Sequence, residues 1–219
     1  MGLSTRMIST LSAALSRAER VDAPYPHWLL DDLFPAEDLT ALQTLPFPAP
    51  ELGGVSGTRE AHNATRIYFD EANQAAHPVC AAVAEAFQSE ALTHLVADVF
   101  GARLDGSYLR IEYAQDTAGF WLKPHTDIGV KMFTMLAYLS AEGDDETLGT
   151  DIYADGETWA ERAPFRANGA LIFVPSDRTW HGFEKRDFPG VRKSLVINYV
   201  ADEWRAREQL SFPQAPIRL

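Results

Sequence analysis

Apolar positions follow two successive rhythms along this chain. In the first hundred residues they recur every three or four places, the repeat of a helix that buries one face. Leu3, Met7, Ile8, Leu11 and Leu15 predict an opening amphipathic helix. Residues 25–33 read as an edge strand, after which Pro35 opens a helix with Leu39, Leu42 and Leu45 inward; prolines 46, 48 and 50 end it. Val79, Val83 and Phe87, then Leu92, Leu95, Val96 and Val99, predict two further helices, the second capped by Ser89 and stopped by Gly101. From residue 106 the pattern changes to short apolar runs rich in aromatic and branched side chains, at 108–113, 132–139, 170–174 and 195–200. The second and fourth are apolar at nearly every position, so both of their faces must be covered, which suits two packed sheets.

Helices first and strands afterwards predict an α+β fold. Its core would be a jelly roll (a double-stranded β-helix, cupin-like) over 106–200, buttressed by N-terminal helices. A single domain, 1–219, is expected: 1–105 mainly helical support with a lid loop, and 201–219 a tail of short helix and coil. The lid would be 51–66, where Gly53, Gly54 and Gly57 accompany Arg59, His62, Asn63 and Arg66. Those four polar residues are the candidate substrate contacts, with 114–123 a second recognition loop. The acidic stretch at 140–149 lacks a calcium-loop pattern and reads as a solvated hairpin loop.

Charge and cysteine content narrow the function. With 31 acidic against 19 basic residues the net charge is -12, which disfavours a general affinity for nucleic acid or anionic membranes. A small-molecule substrate is the expected partner. Cys80 is the only cysteine and reads as a buried small hydrophobe, and the chain lacks both a signal-peptide pattern and a membrane-length apolar run, so a cytoplasmic setting is expected.

The chemistry concentrates in Lys123-Pro124-His125-Thr126-Asp127 and in His181. His125 and Asp127 are two positions apart, so in an extended segment both side chains leave one face and can grip one ion. His181 would complete a set of two imidazoles and a carboxylate, the facial triad that leaves open positions on a non-haem iron. Other histidines, His77 and His94, have no ligand partner at such spacing and read as structural. Trp180 and Phe183 flank the third ligand and are expected to shield it from water.

With these residues the chain resembles the Fe(II)- and 2-oxoglutarate-dependent oxygenases, in particular the prolyl-hydroxylase-like branch. The resemblance covers roughly 106–200: an HxD pair at His125 and Asp127, a distal His181, and Arg192 eleven positions beyond it. It implies Fe(II) on His125, Asp127 and His181, with 2-oxoglutarate as co-substrate and O2 as oxidant. Succinate and CO2 would be released as a substrate C–H bond is hydroxylated or oxidatively demethylated. Arg192 would pair its planar guanidinium with the distal carboxylate of 2-oxoglutarate, and Ser194, two residues along the same strand, would add a hydroxyl. Tyr138 and Tyr113 match tyrosines of the family and would also bind the co-substrate. Two alternatives are a cupin-like metal-dependent isomerase or hydrolase, and an oxygenase acting on a protein side chain.

Overall fold

The computed structural model describes residues 2–50, 57–58, 66–127, 129–140 and 146–219. Helix α1 (Leu3–Ser16) leads into the hairpin β1 (Glu19–Val21) and β2 (His27–Leu30), then α2 (Ala36–Gln43), for which Pro35 is the cap residue just outside the first turn. Beyond β3 (Ile67–Tyr68) come α3 (Glu71–Ala76), α4 (Pro78–Gln88) and α5 (Glu90–Phe100). Ser89 accepts from the Leu92 N–H at the start of α5, and Gly101 ends it with φ 71°, a conformation that suits glycine. No helix among the described residues is long and apolar enough to cross a membrane.

The remaining strands are β4 (Tyr108–Thr117), β5 (Leu122–His125), β6 (Lys131–Ser140), β7 (Asp151–Tyr153), β8 (Trp159–Arg162), β9 (Ala170–Phe173), β10 (His181–Phe183) and β11 (Val191–Val200). They form two antiparallel sheets. The larger has the order β1-β2-β9-β6-β11-β4-β3 and the smaller β5-β10-β7-β8. Several expectations change here. β2 lies one place inside the sheet, because β1 covers its outer edge. The 114–123 segment is mostly strand, since β4 runs on to Thr117 in unbroken register with β11. The C-terminal tail carries a single 3-10 turn at Arg207–Gln209 instead of an α-helix.

Period-two alternation on β11, at the centre of the larger sheet, sorts the molecule into layers. Leu195, Ile197 and Tyr199 are fully buried and join Met7, Leu11, Leu15, Val83, Phe87 and Val96 of the helices in one apolar cluster. Cys80 is buried in the same cluster, as expected of a small hydrophobe. Arg192, Ser194, Val196 and Asn198 point the other way, toward the smaller sheet. There Tyr138, Leu171 and Phe173 from the larger sheet meet Ile152 and Phe183 from the smaller in a second cluster. The helices therefore stiffen one face of the sheet, and the polar residues of the other face are held between the sheets.

The smaller sheet is tied together by a buried carboxylate. Asp151, with no solvent exposure, accepts from Arg162 Nε at 2.7 Å, Arg186 Nη2 at 2.8 Å, the Glu184 N–H at 2.7 Å and Trp159 Nε1 at 3.2 Å. It thereby fastens β8 and the segment after β10 to β7. Removing one partner of a buried charged network costs about 3–5 kcal/mol. Asp151→Ala is expected to lower stability by that amount in urea unfolding followed by circular dichroism. A loss under about 1 kcal/mol would mean the network is no more than a surface ion pair.

Candidate metal centre

His125 closes β5 and His181 opens β10, and the antiparallel register sets the two directly opposite each other. Their rings lie 4.3 Å apart between centroids. Asp127 follows two residues after His125, and the three residues each offer a ligand atom within 4.8 Å of the others. Among the described residues this is the one group of its kind. The close approach of β5 and β10 depends on Gly182, where a Cβ would stand 2.7 Å from the Leu122 carbonyl oxygen.

The donor chemistry fits a divalent metal. Each imidazole places Nδ1 2.9 Å from a carbonyl oxygen two residues upstream, Lys123 for His125 and Thr179 for His181. A carbonyl can only accept, so Nδ1 carries a proton in both rings, and Nε2 is the atom each neutral imidazole would offer to a metal. Burial pushes the His181 imidazole down to about 3, so it stays neutral and able to ligate at physiological pH. Phe173 packs on the His181 ring at 4.7 Å. Phe183 lies on the inner side of the site. Trp180 plays less of the shielding role expected of it: its ring lies by the turn at Gly156.

Burial alone would raise the Asp127 carboxyl, but the adjacent Lys131 ammonium and the Thr134 hydroxyl override that and hold it well below the usual range. Lys131 Nζ is 2.5 Å from Oδ1, and Thr134 Oγ1 donates to Oδ2 at 2.6 Å. The chain of contacts continues inward. Asn198 Nδ2 donates to Thr134 Oγ1 at 2.9 Å, and Arg110 Nη1 donates to Asn198 Oδ1 at 3.1 Å. Arg110 Nη2 in turn reaches Glu112 Oε2 at 2.8 Å. Arg110 and Asn198, whose orientation the sequence leaves open, thus both face inward and fix the rotamer of Thr134.

Behind the triad, between the sheets, lies a cavity of about 40 Å³ whose walls include Asp127, His181, Phe183, Thr150, Arg192 and Ser194. Arg192 is buried, with Nε donating to the Leu148 carbonyl at 2.7 Å and Nη1 to Asp116 Oδ2 at 2.5 Å. Its guanidinium packs over the Phe183 ring at 4.9 Å and the Tyr138 ring at 5.5 Å. The Nη2 edge has no acceptor among the described residues. Tyr138 stands behind Arg192 in place of lining the cavity, and its hydroxyl donates to Thr150 Oγ1 at 2.9 Å. Burial raises the Tyr138 phenol, against the opposing field of Arg192, so it remains a neutral hydrogen-bonding group.

Tyr113 does not join this site. It shares strand parity with Leu109 and Ile111, so its side chain enters the helix-facing core, where the hydroxyl donates to the Leu42 carbonyl at 2.9 Å. Its neighbours Ala114 and Asp116 have the inward parity and line the cavity. Arg59, His62 and Asn63 lie outside the described residues. Arg66 lines a second, larger cavity of about 370 Å³ on the outer side of the triad, together with Arg110, Lys123, His125, Lys131 and Trp204. The two cavities share Leu122, Asp127 and Lys131. Asp116, Thr150, Lys131 and Trp204 are site residues that the sequence reading missed. Asp116 alone carried a signal, a polar residue at inward parity on β4; Thr150, Lys131 and Trp204 carried none.

No protein-family model matches the chain, and no curated protein matches it either. Solved structures do. A Trichoplax adhaerens prolyl hydroxylase in complex with a hypoxia inducible factor peptide fragment is 13% identical over 93% of each chain, with a TM-score of 0.58. A 2OG-Fe(II) oxygenase family oxidoreductase from Burkholderia pseudomallei is 16% identical over 88% of this chain and 89% of its own, TM-score 0.54. HygX from Streptomyces hygroscopicus, with nickel and 2-oxoglutarate bound, is 15% identical over 81% of this chain and 82% of its own, TM-score 0.50. At these identities the likeness establishes the fold, a mixed helix and antiparallel-sheet scaffold shared with 2-oxoglutarate oxygenase structures.

Proposed function

We propose that this chain is an Fe(II)- and 2-oxoglutarate-dependent dioxygenase, a single domain with a double-stranded β-helix core, acting on a small-molecule substrate. The observation that carries the reading is the alignment of three parts: a His125, Asp127 and His181 triad, an enclosed cavity behind it, and the buried Arg192 and Ser194 on the cavity wall. A guanidinium and a hydroxyl on the wall of the cavity behind the triad favour a dicarboxylate co-substrate over an isomerase or hydrolase, which needs the ligand set alone.

In this reading His125, Asp127 and His181 hold the iron, whose chemistry when bound is O2 activation coupled to decarboxylation of 2-oxoglutarate. Arg192 and Ser194 orient the distal carboxylate of the co-substrate, Arg192 through its Nη2 edge, with Tyr138 acting through Thr150 and Arg192 as a positioning residue. Phe173 and Phe183 keep water from the reacting side. The inner cavity, about 40 Å³, has room for only a few waters. Entry of a five-carbon diacid therefore requires the side chains that line it to move apart. The test is direct: Fe(II) protein supplied with 2-oxoglutarate and O2 should form succinate and CO2 in equal amounts, and the rate should rise with substrate. Metal binding with no 2-oxoglutarate binding or turnover would overturn the reading and return the isomerase or hydrolase alternative.

Lys131 gives a separate prediction. Its ammonium holds Asp127 Oδ1 and would repel a dication at the same carboxylate. Lys131→Met is expected to tighten Fe(II) binding about tenfold, a difference of about 1.4 kcal/mol, in competition with a chromophoric chelator. Weaker binding in the variant would mean that the lysine supports the metal.

A further inference from the structure

The outer cavity carries a charge opposite to that of the protein as a whole. Four cationic side chains line it, Arg66, Arg110, Lys123 and Lys131, and Asp127 is the sole carboxylate on its wall among the described residues. Asp127 is already committed to the metal site. Behind the wall, Glu112 serves both Arg110 and Arg66, with ion-pair distances of 2.8 Å and 3.5 Å. Lys123 is exposed and pairs with no carboxylate among the described residues, and its Nζ lies 5.9 Å from the centroid of the Trp121 ring. In a chain of net charge -12, this mouth is a local inversion of sign that attracts an anion once it comes within a Debye length.

A second observation points to a ligand independently of the charges. Trp204 lines the cavity, and its indole Nε1–H is buried without a hydrogen-bond partner among the described residues. An indole N–H is a donor only, and leaving it unmatched is costly, so the group it lacks is an acceptor oxygen. Arg110 beside it is rigid. It packs over the Tyr68 ring at 4.8 Å and the Trp204 ring at 5.1 Å, and its donors go to Gln209, Asn198, Tyr68 and Glu112. Arg110 therefore supplies fixed positive charge, as does Arg66, and the contacts to a ligand fall to Lys123 and Trp204.

Building on the oxygenase reading, we propose that the outer cavity receives a small-molecule substrate through its oxyanion, a carboxylate or a phosphate. The volume of about 370 Å³ falls within the 300–1,000 Å³ typical of small-molecule sites. The oxyanion docks on Lys123 and Trp204 Nε1 in the positive field of Arg66 and Arg110, and the rest of the molecule extends toward the open side of the triad.

Calorimetric titration of the full chain, loaded anaerobically with Fe(II) and saturating 2-oxoglutarate, tests this with three probes. N-acetylleucine presents a carboxylate, inorganic phosphate a phosphate, and N-acetylleucinamide the same body as the first without the charge. At least one oxyanion should bind at least tenfold more tightly than the amide. Trp204→Phe and Lys123→Ser should each weaken that probe several-fold and leave 2-oxoglutarate affinity unchanged. Equal binding of acid and amide, or no binding of either oxyanion at millimolar concentration, would overturn the proposal. So would variants that lose 2-oxoglutarate instead, because the cations would then serve the co-substrate. If the wild-type protein fails to bind 2-oxoglutarate at all, the oxygenase reading falls, and the same probes on the Fe(II) protein still decide the oxyanion site.

Discussion

His181→Ala is expected to abolish 2-oxoglutarate consumption and to cost more than about a hundredfold in Fe(II) affinity, since altering groups that merely orient a ligand already costs 10–100-fold. The loss should be specific to this histidine. His181 is the ligand supplied from across the sheet, and without it His125 and Asp127 remain as a two-point site that binds weakly. His94, which faces Glu90 on the surface of α5, and His77, which packs against Phe47, provide the controls: their alanine variants should retain one iron per chain. Circular dichroism is needed alongside, because the His181 ring also packs on Phe173 and its removal leaves a gap. Iron affinity and turnover unchanged in a folded His181→Ala protein would remove the metal assignment.

The layer order was legible in the sequence where periodicity and burial coincide. β11 alternates between Leu195, Ile197 and Tyr199 against the helices and Arg192, Ser194, Val196 and Asn198 between the sheets, and three polar residues on the inward parity of a central strand mark an interior site. α1, α4 and α5 were readable for the same reason, each presenting one apolar stripe. What escaped was structure held by partners instead of pattern. α3 buries none of its residues, so it has no stripe, and it forms because Asp70 accepts the Asn73 N–H at its start. β5 and β10 are short and carry no apolar alternation, and they are strands because they pair with each other.

Tyr113 shows where similarity to a family misleads. The match by position put it at the co-substrate, whereas its parity with Leu109 and Ile111, already visible in the sequence, turns it to the helices. The roles of Lys131 and Asp116 could not have been assigned from the sequence. Their carboxylate and guanidinium partners are set by strand register and turn geometry, which composition does not encode.

Register is what makes Arg192 the more demanding test of the proposed chemistry. β11 and β4 set Arg192 opposite Asp116, so the guanidinium that would hold 2-oxoglutarate already has a buried carboxylate at 2.5 Å. Arg192→Met should spare iron. It should weaken 2-oxoglutarate for two reasons: the attraction to the distal carboxylate is lost, and the Asp116 carboxylate then stands as a like charge beside it without the Arg192 ion pair. Truncating one side of a buried charge pair costs about 2–5 kcal/mol. At about 1.4 kcal/mol per factor of ten, affinity should fall roughly thirtyfold to a few thousandfold. The second contribution can be separated. Adding Asp116→Asn to Arg192→Met removes the repulsion and should recover about tenfold, and Asp116→Asn alone, by freeing Nη1, should tighten the wild-type site. Anaerobic titration of 2-oxoglutarate into each Fe(II) protein, followed by the absorption of the metal chelate, measures all four affinities. Equal affinity in wild type and Arg192→Met would make Arg192 a structural partner of Asp116 and the Leu148 carbonyl, and the metal-dependent isomerase or hydrolase reading would then account better for the site.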